Sequence, residues 1–115
     1  MANTFKVITK ANVTSADVIY TVAGSTTTVI LGLVLGNTTT SQVTTTVSLA
    51  SDTGSRAGAN NEANQTVELV TNAPIPAGSS LEMLAGNKVV METTDALSVT
   101  SSGSTDVCLS IMEIT

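Results

Sequence analysis

Short runs in which apolar and polar residues alternate occupy most of this 115-residue chain, and they constrain its fold more than any other feature. Successive side chains of a β-strand point to opposite faces, so such a run predicts a strand with one buried and one solvated face. The clearest run is SQVTTTVSLA (41–50). It is expected to direct four side chains toward the core: Val43, Thr45, Val47 and Leu49.

The run TTTVILGLVLG (26–36) is apolar at most positions and predicts a central strand that is buried on both faces. One face is expected to carry Val29, Leu31, Leu33 and Leu35, and the other Ile30 and Val34. The segment GNTTT (36–40) has the composition of a turn. We therefore expect the two runs that flank this turn to pair as an antiparallel hairpin.

The chain has only two prolines, Pro74 and Pro76, and they flank Ile75. Proline has no N–H for a β-ladder, and it restricts the preceding residue to extended conformations. This segment therefore cannot form a central strand. We expect it to protect a sheet edge and to cross between two sheets, with Ile75 as an apolar plug over the end of the core.

Eight or nine short strands are expected along the chain, separated by turn signals and without a convincing helical segment. This pattern predicts an all-β fold, an antiparallel β-sandwich of jelly-roll or Greek-key type, built as a single domain over residues 1–115. Aromatic residues make up only 2% of the chain, so the core must consist of aliphatic side chains. The stretch SDTGSRAGANNEAN (51–64) does not alternate and is expected to be a long surface loop.

The charge of the chain argues against a nucleic-acid partner, and the length of its apolar runs argues against a membrane-spanning segment. The formal net charge is −5, with four basic residues that do not cluster, whereas phosphate binding needs clustered lysine or arginine. The longest apolar run, VILGLVLG (29–36), is far shorter than the roughly 20 residues of a membrane-spanning helix. Lys6 and Lys10 interrupt the N-terminal segment, so we expect no signal peptide and synthesis in a cytoplasm.

No catalytic residue, cofactor or metal is expected. The chain lacks histidine, which removes Ser-His and Cys-His pairs, and its single cysteine, Cys108, is expected to be a small buried residue of a strand. Glu92 and Asp95 are interpreted as an exposed strand residue and a turn residue rather than an acid–base pair. A calcium site in the 51–64 loop remains an alternative, although the spacing of its oxygen donors matches no EF-hand: Asp52, Asn60, Asn61 and Glu62.

Five segments that together span nearly the whole chain outside residues 51–64 resemble small β-rich virion structural proteins of tailed bacteriophages. They are MANTFK, VIYTVAGSTTTVILGLVLGNTTT, NAPIPAGSSLEML, GNKVVMETTDALSVTSS and SIMEIT. One departure from the resemblance is TTDALSV, where such proteins are expected to have a glycine before Asp95.

The resemblance implies an all-β protein that assembles on the particle, most simply a capsid decoration (cement) protein that binds neighbouring major capsid proteins as a homotrimer on the virion surface. Four residues are candidate contacts with such partners: Phe5, Lys6, Lys10 and Arg56. Residues 1–12 are a candidate N-terminal arm that docks on a neighbour. In the competing interpretation, Phe5 fills the core of its own domain.

Two other functions stay open at the level of the sequence. One is a neck or tail component of the virion, which the same resemblance allows. The other is a carbohydrate-binding β-sandwich that recognises a receptor. Carbohydrate sites use exposed aromatic rings, and this chain has only Phe5 and Tyr20, so its composition favours the virion component.

Overall fold

The computed structural model describes residues 2–51, 65–83 and 88–115, and in these ranges the chain forms nine strands and no helix. The strands are β1 (Asn3–Val13), β2 (Ala16–Thr21), β3 (Thr27–Asn37), β4 (Val43–Ser51), β5 (Gln65–Ile75), β6 (Ser80–Met83), β7 (Val89–Met91), β8 (Ala96–Ser101) and β9 (Thr105–Ile114). The all-β expectation is confirmed. These ranges also contain no helix long and apolar enough to cross a bilayer.

The strands form two antiparallel sheets with the order of a jelly roll. The five-stranded sheet has the order β1-β9-β3-β6, with β7 also paired to β3, and the four-stranded sheet has the order β2-β8-β4-β5. Strands from the two halves of the chain therefore pair as in one long ribbon: β1 with β9, β2 with β8, β3 with β6 and β7, and β4 with β5. Winding this ribbon around itself creates the sandwich.

The core lies between the two sheets and is aliphatic. None of its members is aromatic, as the composition predicts, because the inner faces of both sheets are supplied by Val, Leu, Ile and Met. The buried hydrophobic residues are Val13, Val22, Ile30, Leu33, Leu35, Val43, Val47, Ile75, Met91, Leu97, Val99, Val107, Leu109 and Ile111.

Strand β4 directs the predicted side chains inward. Val43, Thr45 and Val47 are buried, and Leu49 packs against the core. Ser51, the first residue of the loop expected over residues 51–64, is the last residue of β4 and pairs with Gln65 of β5. Residues 52–64 lie outside the described part of the chain, and the candidate calcium donors Asp52, Asn60, Asn61 and Glu62 fall within them.

The predicted faces of β3 are wrong, and a β-bulge is the reason. The register between β3 and β9 shifts between Ile30 and Gly32, so Leu31 is an extra residue and the alternation changes phase there. Ile30 therefore shares the inner face with Leu33 and Leu35. The strand is central, as expected, but its second face is not buried, since Val34 is exposed.

The predicted hairpin between β3 and β4 is also wrong, because the two strands belong to different sheets. Both carry a strongly apolar face, and the two faces meet across the core instead of lying side by side. Buried Asn37 holds the crossing. Its Nδ2 donates to the carbonyl oxygens of Ser41 (2.8 Å) and Ile75 (2.9 Å), and its Oδ1 accepts from the amide and hydroxyl of Thr39.

The proline segment has the predicted role. Pro74 lies in β5, which is an edge strand of the four-stranded sheet, and there a missing N–H leaves no central ladder incomplete. Ile75 is 1% exposed and belongs to the core. After Pro76 the chain turns at Gly78, which has φ +68°, and enters β6 in the other sheet.

Thr94 stands at the position before Asp95 where the resemblance to phage virion proteins predicts a glycine. Thr94 has φ +72°, in the left-handed region that a β-branched residue rarely occupies. Glycine would occupy that region without strain. Buried Asp95 closes the turn, because its Oδ2 accepts a hydrogen bond from the amide of Glu92 (3.0 Å). The structure therefore places Asp95 as a turn residue, as predicted.

Truncation of Ile75 tests the plug at the sheet crossing. We expect Ile75→Ala to lower the free energy of unfolding by about 2–4 kcal/mol, because the change leaves a cavity among packed aliphatic groups. Denaturant unfolding beside the parent measures it. Val67→Ala in the same strand is the control, since Val67 is exposed and its truncation should leave the midpoint nearly unchanged. An unchanged midpoint for Ile75→Ala would contradict the plug.

Replacement of Thr94 by glycine should stabilise the protein. A residue with a Cβ loses about 1–2 kcal/mol of stability in left-handed backbone, and glycine removes this strain. The greater conformational freedom of glycine in the unfolded chain costs about 0.4–1 kcal/mol in the opposite direction. We expect Thr94→Gly to raise the free energy of unfolding by about 0.5–1 kcal/mol. Thr94→Ala retains the Cβ and should gain little. Equal midpoints for both variants in denaturant would show that Thr94 is not strained.

Candidate functional site

Strand β1 places the predicted contact residues at the open edge of the five-stranded sheet. It pairs with β9 from Asn3 opposite Ile114 to Lys10 opposite Val107, and no strand among the described residues pairs with its other side. Its even-numbered side chains face the core side, where Ile8 packs. Its odd-numbered side chains from residue 3 to residue 9 face outward, whereas Val13, which follows a register shift, belongs to the core. Phe5 is 70% exposed and Val7 is 62% exposed.

The exposure of Phe5 excludes the interpretation that this ring fills the core of its own domain. Of the candidate N-terminal arm, residues 1–12, residues 3–12 belong to β1, and residues 3–10 pair with β9 in the isolated chain. Release of this segment to dock on a neighbour stays a prediction. Arg56, the fourth candidate contact residue, lies outside the described part of the chain.

Lys6 and Lys10 lie on the inner side of β1, and each forms an ion pair within the chain. The Nζ of Lys6 lies 2.7 Å from Oε1 of Glu113, and the Nζ of Lys10 lies 3.5 Å from Oδ2 of Asp17 in β2. Both ammonium groups are about half exposed, so the energies of these pairs are small. The two ion pairs nevertheless balance the positive charges of β1 with carboxylates of the same chain.

Glu113 is the centre of a polar network between the two sheets, formed with Lys6, Tyr20 and Thr28. The hydroxyl of Tyr20 donates to Oε2 of Glu113 at 2.6 Å and lies 2.7 Å from Oγ1 of Thr28. The bond from Lys6, followed by that from Tyr20, holds the pKa of Glu113 below its usual value against the effect of burial. Burial, together with the bond to Glu113, raises the pKa of Tyr20 to about 12.

An apolar row crosses the outer face of the five-stranded sheet, the face turned away from the core. Phe5 lies opposite Met112, Met112 opposite Val29, and Val29 opposite Val90. Directly opposed residues share a face, so the row extends over β1, β9, β3 and β7. Val90 is 58% exposed. Gly32 and Ser110 face each other in the next part of the same face, so the side chains there are small.

A shallow groove of about 350 Å³ lies between β1, β9 and β3 beside the apolar row. Its lining includes residues 9–11, Val34, Gly36 and Cys108. Cys108 is exposed, so the expectation of a buried cysteine is wrong. The reason is the alternation of β9, in which Val107 and Leu109 point inward and residue 108 must point outward.

The described residues contain no group of three or more His, Cys, Asp or Glu side chains that could hold a metal ion. The carboxylates of the Glu113 network and of Asp95 have structural partners, which are Lys6, Tyr20 and the amide of Glu92. The groove is lined by Lys10, Asp106 and Cys108 as well as by apolar and small residues, whereas the apolar row consists of uncharged side chains.

The alternation of residues in β1 indicates which side chains could form the outer face of the five-stranded sheet. In NTFKVITK (3–10), Phe5 and Val7 alternate with Lys6, Ile8 and Lys10. The structure turns Phe5 and Val7 outward. The lysines reach carboxylates on other strands of the sandwich, and Ile8 packs against the core from the inner face of β1.

The chain matches no known protein family and no curated protein. Two solved structures are similar in fold. A chain of the Bacillus endospore appendages, described as disulfide-linked pili, aligns with a TM-score of 0.43 and 16% identity over 96% of this chain and 85% of that chain. A chain of the T13 IBDV viral particle aligns with a TM-score of 0.49 and 11% identity over 96% of this chain. This chain spans 35% of the viral chain.

The Glu113 network makes stability depend on pH at both ends of the scale. The depressed pKa of Glu113 contributes stability above about pH 4.5 that is lost as the pH falls through the folded-state pKa. The raised pKa of Tyr20 contributes stability below pH 10 that is lost as the pH rises toward about 12. We expect Glu113→Gln to unfold at lower denaturant concentration at pH 7 and to lose less stability on acidification than the parent.

Because the chain has a single tyrosine, its absorbance titration reports Tyr20 alone. Tyrosinate should form near pH 12 in the folded protein and near pH 10 in denaturant. A folded-state titration at pH 10 in the parent would contradict the network. Thr28→Val is the matched variant, since it removes one hydroxyl and leaves the carboxylate in place.

Proposed function

We propose that this protein is a non-enzymatic structural component of a bacteriophage virion, a capsid decoration protein that binds neighbouring major capsid proteins and copies of itself. The observation that carries the proposal is the apolar row on the outer face of the five-stranded sheet. Phe5 and Val90 at its ends are largely exposed, with Val29 and Met112 between them. A contiguous apolar patch on a small protein is typical of an interaction surface.

The chemistry around the row supports a protein partner. Gly32 and Ser110 keep part of the face flat, and a side chain built at Gly32 would meet no atom of the chain, so packing within the domain does not require glycine there. Lys6 and Lys10 face the other side of β1. Depletion of charge together with aromatic and methionine side chains, here Phe5 and Met112, characterises the buried centre of protein interfaces.

The runner-up functions are less well supported by the same surface. A carbohydrate site needs exposed aromatic rings. Phe5 is exposed, but Tyr20 is engaged with Glu113 and Thr28, so the chain offers one ring. An enzyme needs activated groups, and the sequence has no histidine to serve as a base. A neck or tail component uses the same kind of apolar contact surface, and binding to isolated parts of the particle distinguishes it from a capsid protein.

Co-sedimentation with capsid shells, necks and tails of the phage that carries the gene tests the proposal. We expect the protein to bind shells lacking it, and we expect Val90→Ser to weaken this binding by about tenfold or more, since buried aliphatic contacts at an interface contribute on the order of 1.5 kcal/mol each. Val18→Ser is the matched control. Val18 is 57% exposed, like Val90, but lies on β2 of the other sheet.

Binding to necks or tails, and not to shells, would favour the alternative virion role. Failure to bind any part of the particle would reject the virion function, and equal losses for Val90→Ser and Val18→Ser would reject the apolar row as the contact. Light scattering of the free and bound protein gives the number of copies, for which the phage resemblance implies three.

A further inference from the structure

Four edges bound the two sheets, and three of them are short or irregular. In β5 the register with β4 shifts twice, Asn72 has φ +48°, and Pro74 lacks an N–H. In β2 the register shifts between Val18 and Tyr20. The remaining edge of the five-stranded sheet is formed by β6 and β7, which have four and three residues. Such features prevent an edge from pairing with another strand.

The fourth edge, β1, is regular over most of its length. Its register with β9 continues without a shift from Asn3 to Lys10, and the shift between Lys10 and Val13, with Asn12 at φ +58°, lies at its C-terminal end. Ala2 and Thr115, next to this ladder, exchange both of their N–H···O bonds, at 3.1 and 3.0 Å. Bonded pairs alternate in an antiparallel ladder. The even-numbered residues therefore bond to β9, and the odd-numbered residues from 3 to 9 direct their N–H and C=O groups to the open edge.

We propose that β1 pairs with β1 of a second copy of this chain, antiparallel and about a two-fold axis at Val7, so that the two five-stranded sheets join into one. The inference rests on the proposed function only for self-association, and it replaces the trimer that the phage resemblance implies with a two-fold dimer. It adds which edge associates, with what register and by which atoms. The paired sheets would carry their two apolar rows on one continuous outer face.

A second copy is the occupant because β1 is the regular edge among the four that the described residues form. A ladder between β1 and any other edge of this chain would meet a bulge, a proline or a strand of four residues or fewer. Pairing of β1 with itself requires only the two-fold symmetry that is common in homodimers.

Lysines at an edge often act as guards against pairing, but the two lysines of β1 do not face the open edge. Lys6 and Lys10 are even-numbered residues whose backbone groups bond to β9, and their ammonium groups are paired with Glu113 and Asp17. Their charge is therefore already balanced on the core side of the strand, and it opposes pairing only in registers that bring lysine opposite lysine.

Charge selects the register. The odd-numbered residues must face one another because they carry the free backbone groups. A two-fold axis at Lys6 places Lys6 opposite its own copy, and an axis at Ile8 places Lys6 opposite Lys10 of the partner subunit; like charges in directly opposed positions are destabilising. An axis at Phe5 shortens the overlap of the two strands. An axis at Val7 avoids all three problems.

In that register Val7 faces Val7 of the partner subunit, and Phe5 faces Thr9 of the partner subunit. Cysteine cross-linking reads out these distances, since bonded pairs have Cα atoms about 5.5 Å apart, within the range of a disulfide. The background is Cys108→Ser, because the exposed native thiol would also react. We expect Val7→Cys alone to form covalent dimers under mild oxidation, at the same protein concentration at which neither Phe5→Cys nor Thr9→Cys does so alone.

A mixture of the Phe5→Cys and Thr9→Cys proteins should again give covalent dimers, and each dimer should contain one copy of each variant. Cross-linking of Phe5→Cys by itself would overturn the register. The absence of cross-links in every arm, with a mass of 11.6 kDa by light scattering at all concentrations, would overturn the pairing.

Val7→Pro tests the backbone bonds separately. The N–H of Val7 faces the open edge, so proline removes no bond of the monomer but removes two bonds of the pair, one from each copy. We expect the dissociation constant of the dimer to rise by about thirtyfold. At protein concentrations where both the parent and the variant are monomeric, their unfolding midpoints in denaturant should be nearly equal. Val7→Thr retains the N–H and should still dimerise. Equal dissociation constants for all three proteins would overturn the proposal.

The outcome is separable from the proposed virion role. A dimer with the predicted cross-links that binds no part of the particle would reject the virion function and leave the β1 pairing intact. A monomer that still binds capsid shells through the apolar row would reject the β1 pairing and leave the virion function intact.

Discussion

The whole structure depends on one constraint, which is that a chain almost without aromatic residues must fill its core with aliphatic side chains supplied by strands. Among the described residues, fourteen buried hydrophobic side chains from the two sheets and their connections form that core. Because none of them is aromatic, many strands must contribute aliphatic side chains to the inner faces. The ribbon pairing of β1 with β9, β2 with β8 and β3 with β6 and β7 achieves this, because it brings buried aliphatic side chains of the two sheets together in one core.

Two local devices maintain that continuity. The bulge at Leu31 changes the phase of β3, so that Ile30 and Leu33 share the inner face although they are three residues apart. Asn37 then satisfies the backbone of the crossing between the sheets with its own amide group and joins it to Ile75. The same bulge turns Val29 to the outer face, where it completes the apolar row. The inner packing thus determines the outer surface.

Strand β1 carries both a part of the Glu113 network and the edge proposed for self-association. The Glu113 network connects this strand to the second sheet through Tyr20 and keeps Lys6 on the core side, while Phe5 and Val7 face outward. An edge held in regular extended geometry and bordered by an apolar face is prepared for pairing, since little conformational entropy remains to be lost on association. Acid would weaken this network through Glu113 and, with it, the attachment of the edge.

The sequence by itself determined the all-β class, the number of strands, the inner face of β4 and the role of Pro74 and Ile75, because alternation and proline chemistry act within a few residues. The tertiary structure decided the pairing of β3, which shares no sheet with β4, and the exposure of Phe5 and Cys108. These properties depend on which strand lies beside or across from another. A one-residue bulge reverses which side chains are buried, and alternation in a single strand does not distinguish its two faces when each carries apolar groups.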